Sequence, residues 1–415
     1  MSDAPINADE SQPPDSSLWD QEAFLQSAYE LLCDVRDATA RNLNARLSAA
    51  GFGDLTEDHL LILGATFFDG SSRVLTRRLG AAHRAVSQAI ETLARRGYLR
   101  LPANSDDPSQ PAAAFTERGY AALAEARRGL NADLWAQFPR RPGDIIICTV
   151  AKSGTTWMQT ICALLIFQTP ILPARLPELS PWMEGRLGGR SRTYAELGAQ
   201  RHRRFIKTHV PLNEIPADPR VTYVVVARNP LDTAVSWRHH STDYAEDNPE
   251  QQSGSQPPTG ATRQWLLDQT DEMGTSPGGG DSYLDDLLKN LSRAWERRYE
   301  PNVLLVHYEE LSDDLAGEMR RLAAHLDITV PEDTWPSLLQ AATFREMQSS
   351  ADQLQPRPSL RGRETGLGPA TFFRRGSSGE GRALLTEAEA ARYRTQAAHV
   401  APEELLAWLH RDDRR

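Results

Sequence analysis

The pattern of apolar and polar positions changes character near residue 140. Before it, apolar residues recur at helical spacing. Phe24, Ala28, Leu31, Leu32 and Val35 fall on one face of a first helix, expected over about 20–46. Further helices are expected at about 57–67, 73–79 and 82–96. "RRGYLRL" then reads as a strand and "PANSDDPSQPAAA" as a turn-rich tip. "AAFTERGYAAL" reads as a returning strand that enters a helix at about 117–136, with Thr116 as its N-cap. From Pro142 the pattern alternates between strands and helices. "DIIICTV" (144–150) and "VTYVVVA" (221–227) are continuous apolar runs of the kind buried on both faces of a parallel sheet. "NVLLVHY" (302–308) adds another strand. Ser312 is expected to cap the helix after it, whose Leu315, Met319, Leu322 and Leu326 form one apolar face. Residues 241–281 read as a long loop with a short helix around Gln264–Met273.

Composition changes this picture little. The 415 residues suffice for two domains, and 40% hydrophobic with 25% charged residues is ordinary for a globular protein. A net charge of -10 argues against polyanion binding by the whole surface. The first 17 residues are polar, lack an apolar signal core and read as a disordered tail. No apolar run approaches the roughly 20 residues that span a bilayer, so no membrane role and a cytoplasmic location are expected. Cys33, Cys148 and Cys162 fit neither a disulfide framework nor a metal site, and the latter two read as buried thiols. The expected division is a tail (1–17), a helical domain (18–138) and an α/β domain (142–415).

The candidate chemistry begins at "TVAKSGTTWMQT", Thr149 to Thr160. A strand, a tight loop and a helix N-terminus together make an anion site, because backbone N–H groups converge there with the helix dipole. Gly154 allows close backbone approach, Lys152 brings full charge, and Thr155 and Thr156 bring hydroxyls. The order is not that of a nucleotide kinase, which needs Gly-Lys-Ser/Thr.

The segment resembles the 5′-phosphosulfate loop of the sulfotransferase family, P-K-S-G-T-T-W, with Ala151 in place of Pro and Ser153 and Trp157 matching. The resemblance implies 3′-phosphoadenosine 5′-phosphosulfate (PAPS) as sulfuryl donor and no metal. It spans about 140–390 and implies a three-layer, open, mostly parallel sheet of the P-loop type. "RRFIKTHVPL" resembles the family's K-T-H strand end, placing Lys207 near the transferring group and making His209 the base. An imidazole at a strand terminus suits abstraction of a hydroxyl proton. Arg228 and Ser236, eight residues apart, match the family's 3′-phosphate ligands. Ser236 joins Lys152, Lys207 and His209 in the implied catalytic set. Tyr308 and the "ATFREM" segment, with Thr343 and Phe344, resemble the adenine side. "FFRRGSSGEGR" resembles F-x-R-K-G-x-x-G-D-W-K, so Arg374, Arg375 and Gly376 are implied 3′-phosphate ligands. It departs from the pattern at Glu380, Gly381, Arg382 and Ala383. The implied reaction is sulfuryl transfer to a hydroxyl, or an amine, of a small molecule.

The helix, helix, hairpin, helix order of the first third resembles the winged-helix domain of MarR-type regulators. DNA binding would follow from seven Arg against one acid between Ser71 and Arg100. The tip carries two Asp and no Arg, which favours a retained fold that builds a homodimer. The alternative function is a regulator whose sulfotransferase-like half senses a ligand.

Overall fold

The structure is a computed structural model. It describes residues 42–56, 59–60, 62–63, 83–101, 113–184, 190–245, 259–273, 282–354, 373–374 and 376–411. The chain divides into two compact units, 1–55 and 56–415. In the first, a helix ends where Phe52 N–H reaches the Leu47 carbonyl at 2.7 Å.

In the second unit, residues 59–60 and 62–63 are helical, within the stretch expected at 57–67. Further along come helix α1 (His83–Arg95), a two-stranded antiparallel hairpin of β1 (Leu99–Arg100) and β2 (Ala114–Phe115), and helix α2 (Glu117–Gln137). Thr116 caps α2 as expected. Its Oγ1 accepts from Gly119 N–H at 3.1 Å and donates to the Gly97 carbonyl at 2.5 Å, joining the cap to the turn after α1. The helices expected at 20–46 and 73–79, the hairpin tip and the terminal tail lie wholly or largely outside the described residues. At its far end α2 joins the core of the α/β half, where Leu134, Trp135 and Phe138 are buried. Asn131 Nδ2 donates to Glu214 at 3.3 Å.

Four parallel strands make the main sheet, in the order β4-β3-β5-β6: β3 (Ile145–Thr149), β4 (Phe205–Thr208), β5 (Thr222–Ala227) and β6 (Val303–His307). Alternate residues feed two separate cores. Ile146, Cys148, Tyr223 and Val225 pack with Leu231 and Ala234 of α4 (Pro230–Ala245) and with Leu284 and Leu287 of α5 (Tyr283–Glu296). Ile145, Ile147, Val224 and Val226 pack with Trp157, Met158 and Ile161 of α3 (Thr155–Phe167). Helices therefore cover both sheet faces, which is why these strands read as unbroken apolar runs. The chain leaves β3 for β4 on one side and returns to β5 on the other. Loops at the carboxyl ends of these strands diverge there and open a crevice, the usual ligand site of such sheets.

Two features differ from expectation. Ser312 caps nothing: its hydroxyl donates back to the Tyr308 carbonyl at 3.2 Å. Asp314 caps Leu315–His325 instead, accepting from Gly317 N–H at 2.8 Å, because it stands directly before the first turn. Met319, Leu322 and Leu326 are buried as the apolar face requires. The helix expected around Gln264 begins earlier, at Thr259. Below the sheet, Arg204 donates through Nε and Nη2 to the two Asp144 oxygens at 2.8 and 2.5 Å, with both side chains 1% exposed.

Candidate active site

The loop after β3 is held in a demanding conformation. Lys152 lies at φ 71°, a left-handed value that costs a non-glycine residue of order 1–3 kcal/mol. Gly154 follows at φ 106°, where a Cβ would come within 3.0 Å of the Tyr308 ring. The loop is braced from both sides. Thr149 and Thr155 hydroxyls meet at 2.5 Å, and Tyr283 OH donates to the Ala151 carbonyl at 3.1 Å. The Ser153 side chain is fully buried, and its hydroxyl has no hydrogen-bond partner among the described residues. Residues 155–158 then begin α3, so its first N–H groups open at the end of this loop. An unpartnered buried hydroxyl, a strained lysine and a helix N-terminus together suit a polyanion.

β4 delivers Lys207 and His209 to the same end of the sheet. Residues Pro181 to Met183 run alongside it: Lys207 N–H donates to the Pro181 carbonyl at 3.2 Å, and Met183 N–H to the Lys207 carbonyl at 2.9 Å. This brings Trp182 over both side chains. Lys207 Nζ lies 4.6 Å from its ring centre, and the His209 ring meets it edge-on at 5.2 Å. His209 Nδ1 lies 2.7 Å from the Thr149 carbonyl. A carbonyl only accepts, so Nδ1 carries the proton and Nε2 keeps its lone pair. Burial, reinforced by the Lys207 charge, lowers the imidazole pKa to about 3, so the ring is neutral at ordinary pH. Burial lowers Lys207 to about 8, with Glu184 opposing the fall. His240 on α4 is also held near 3, by burial and by the charges of Lys152 and Lys207, and so belongs to the same cluster.

β5 delivers Arg228, which is buried and lies over the Tyr308 ring at 4.4 Å. Its Nη2 donates to the Ser377 carbonyl at 2.8 Å, and Asp232 and Glu309 stand 3.8 and 3.9 Å away. Tyr308 also meets Trp157 edge-on at 5.1 Å, so one buried ring links the first loop to Arg228. Residues 376–381 dock on α4: Gly379 and Gly381 N–H groups each donate to an Asp232 oxygen at 2.7 Å. The departures in this loop acquire a structural reason. Gly381 lies so close to α4 that a Cβ would sit 2.4 Å from the Leu231 carbonyl carbon, leaving no room for Trp. Glu380 accepts from Arg374 Nη1 at 2.9 Å.

The structure thus brings Lys152, Ser153, Gly154, Thr155, Thr156, Trp157, Lys207 and His209 to adjoining strand ends, with Arg228, Tyr308 and Gly376 on a connected flank. Ser236 lies half-buried on α4. Thr343 uses its hydroxyl as an N-cap, accepting from Glu346 N–H at 3.3 Å and donating to the Gln340 carbonyl at 2.8 Å. Phe344 packs on Phe373 at 5.9 Å. Arg375 lies outside the described residues. The motifs did not single out Trp182, Glu184, His240, Tyr283 or Glu309.

A family model described as "Sulfotransferase domain" matches residues 142–399. A glycolipid sulfotransferase of Mycobacterium bovis is 37% identical over 309 residues, covering 68% of this chain and 93% of that protein. Glycolipid sulfotransferase Rv1373 of Mycobacterium tuberculosis is likewise 37% identical, with the same coverage. Among solved structures, mouse sulfotransferase SULT7A1 complexed with PAP is similar at 23% identity and TM-score 0.47, covering 66% of this chain and 90% of that one.

Proposed function

The chain belongs to the sulfotransferase family, and from that premise we propose that the crevice at 149–157 and 207–209 performs sulfuryl transfer with His209 as base. The donor is PAPS. The acceptor hydroxyl gives its proton to His209 Nε2 as its oxygen bonds to sulfur, and the bond from sulfur to the leaving phosphate oxygen breaks. Lys152 and Lys207 balance charge on the transferring and leaving groups, the electrostatic task that dominates such reactions. The observation that carries this reading is the His209 tautomer, set by the Thr149 carbonyl at 2.7 Å. Ser153, Thr155, Thr156 and the start of α3 would hold the 5′ end of the donor. Arg228, Ser236 and the 374–376 segment would hold its 3′-phosphate, and Trp157, Tyr308 and Phe344 its adenine side. Arg374 is paired with Glu380, so its phosphate contact requires that pair to open.

The acceptor is a small molecule. Two features make a sugar hydroxyl the first to test: the 37% identity to glycolipid sulfotransferases, and Trp182, which is 38% exposed beside His209 and offers a platform for a ring. A screen of hydroxylated compounds, glycolipids among them, would follow release of adenosine 3′,5′-bisphosphate. That bisphosphate should itself bind and raise the melting temperature by mass action. Lys152→Ala and Arg228→Ala should each weaken it by roughly 1.5–3 kcal/mol, the value of a charged hydrogen bond. An unchanged melting temperature at saturating bisphosphate would sink the donor assignment.

We read the N-terminal region as a winged-helix-like arm that dimerises the enzyme rather than one that reads DNA. The acid-bearing, Arg-free hairpin tip and the net charge of -10 support this. A DNA complex without tip contacts would be weak and strongly salt-dependent. Sizing of the full chain should give a dimer, and upstream DNA should not shift at about 150 mM salt. A sequence-specific shift abolished by Arg84→Ala would overturn the reading.

A further inference from the structure

Arg228 is buried, yet part of its guanidinium is uncommitted. Its Nη2 donates to the Ser377 carbonyl at 2.8 Å, but its Nε has no hydrogen-bond partner among the described residues. A buried N–H without an acceptor is costly, and an anion would answer it. Two acids stand near. Asp232 Oδ2 is 3.8 Å from Nη2 and Glu309 Oε1 is 3.9 Å from Nε, both beyond hydrogen-bond reach. Each of these oxygens is already taken by the 376–381 loop. The Gly379 N–H donates to Asp232 Oδ2 at 2.7 Å, and the Ser378 hydroxyl donates to Glu309 Oε1 at 2.5 Å.

Glu309 is fixed on its other side as well. It lies in the first turn of the short helix Tyr308–Asp313 that follows β6. His307, the last residue of β6, places Nδ1 2.7 Å from Glu309 Oε2. That buried ring packs edge-on against Trp408 at 4.9 Å. Burial opposes charge on the Glu309 carboxyl, but His307, Ser378 and Arg228 together hold it below the usual carboxylate range. A cavity of about 220 Å³ opens between this helix and residues 376–378, so a polar contact rather than close packing ties the loop to Glu309.

We propose that Ser378 is a positioning residue for the donor: its hydroxyl holds the Glu309 carboxylate off Arg228 and so keeps that guanidinium open to the 3′-phosphate. Ser378 touches no part of the donor in this scheme and acts through Glu309 and Arg228. Gly379 does the same for Asp232 with a backbone N–H. Without the Ser378 hydroxyl, Glu309 keeps its charge and has the unpartnered Arg228 Nε 3.9 Å away. Closing that gap makes a direct, charge-assisted pair that a phosphate must displace. The loop itself stays docked on α4, because Gly379 and Gly381 still donate to Asp232.

The inference rests on the reading of Arg228 as a 3′-phosphate ligand, and the test separates the two. Calorimetric titration would compare adenosine 3′,5′-bisphosphate with adenosine 5′-monophosphate, which lacks the 3′-phosphate. The wild-type chain should prefer the bisphosphate by about tenfold or more, the value of a charged hydrogen bond. Ser378→Ala should bind the bisphosphate roughly fivefold more weakly and the monophosphate as the wild type does. KM for PAPS should rise in the same proportion, while kcat at saturating donor changes little. Ser378→Thr keeps the hydroxyl and should bind as the wild type does. Adding Glu309→Gln to Ser378→Ala removes the charge that would pair with Arg228 and should recover part of the loss. A serine that merely stiffened the loop would give a double variant no tighter than the single. Ser378 is exposed, so its variants should fold, and their ligand-free melting temperatures check this. The proposal is overturned if Ser378→Ala keeps the wild-type preference, if it loses affinity for both nucleotides alike, or if the double variant recovers nothing. A wild-type chain that does not distinguish the two nucleotides would overturn the 3′-phosphate reading of Arg228 and, with it, the role of Ser378.

Discussion

Replacing His209 by alanine should cut turnover by about 10²-fold or more, the contribution expected of a positioned general base. Bisphosphate-induced stabilisation should stay near wild type, because the ring is fixed to the Thr149 carbonyl through Nδ1 and, in the proposed scheme, offers Nε2 to the acceptor rather than to the donor. Stopped assays of sulfated product beside melting curves with bisphosphate would decide it. Near-wild-type turnover with an acceptor that needs deprotonation removes His209 from the mechanism. The same substitution has a second signature in stability. His209 and His240 are held neutral, with pKa values lowered from 6.5 to about 3. Between those values the unfolded chain binds protons that the folded one refuses. Stability is therefore intact above about 6.5 and falls as pH drops toward 3. Removing one of the two rings should flatten that acid slope in melting temperature, even as activity is lost. In the proposed scheme donor binding would act in the opposite sense on the ring: its negative charge near Lys152 and Lys207 would offset the repulsion that lowers the His209 pKa.

The sheet and its helices were legible because burial on two faces writes itself as continuous apolar runs, as in Ile145–Thr149 and Thr222–Ala227. The first loop was legible because Lys, Gly and Thr after such a strand have few other uses. Glu184, His240 and Tyr283 were not. Each reaches the site by a contact between segments far apart in sequence, such as Tyr283 with Ala151 across 132 positions, and no local spacing encodes that. Thr343 illustrates the converse. The motif resemblance marks Thr343 for the adenine side, and the fold also gives its hydroxyl a second use that the motif does not spell out, capping the helix that starts at Phe344. The loop after Phe373 was only half legible. Its glycines marked close approach, but the surface they approach, Leu231 and Asp232 on α4, was hidden until the chain folded.

The largest stability effect should come from Asp144, far from the chemistry. Asp144 lies just before β3 and Arg204 just before β4, at the strand ends opposite the crevice. Arg204 also donates to the Pro139 carbonyl at 3.0 Å, so the pair joins the end of α2 to the sheet. Asp144→Ala would leave a guanidinium buried without its partner carboxylate. Loss of one member of such a pair costs about 3–5 kcal/mol. For a domain of this size that lowers the melting temperature by roughly 10 °C. Added salt should not mask the difference, because a pair this buried is little screened. The double variant Asp144→Leu with Arg204→Met removes both charges and should recover most of the loss. It will not recover all of it, since Asp144 Oδ2 also accepts from Arg141 N–H at 2.7 Å. Below its melting temperature, Asp144→Ala should keep the wild-type turnover and the bisphosphate response. A single variant melting within a degree or two of wild type would mean that the pair is reached by water and contributes like a surface bridge.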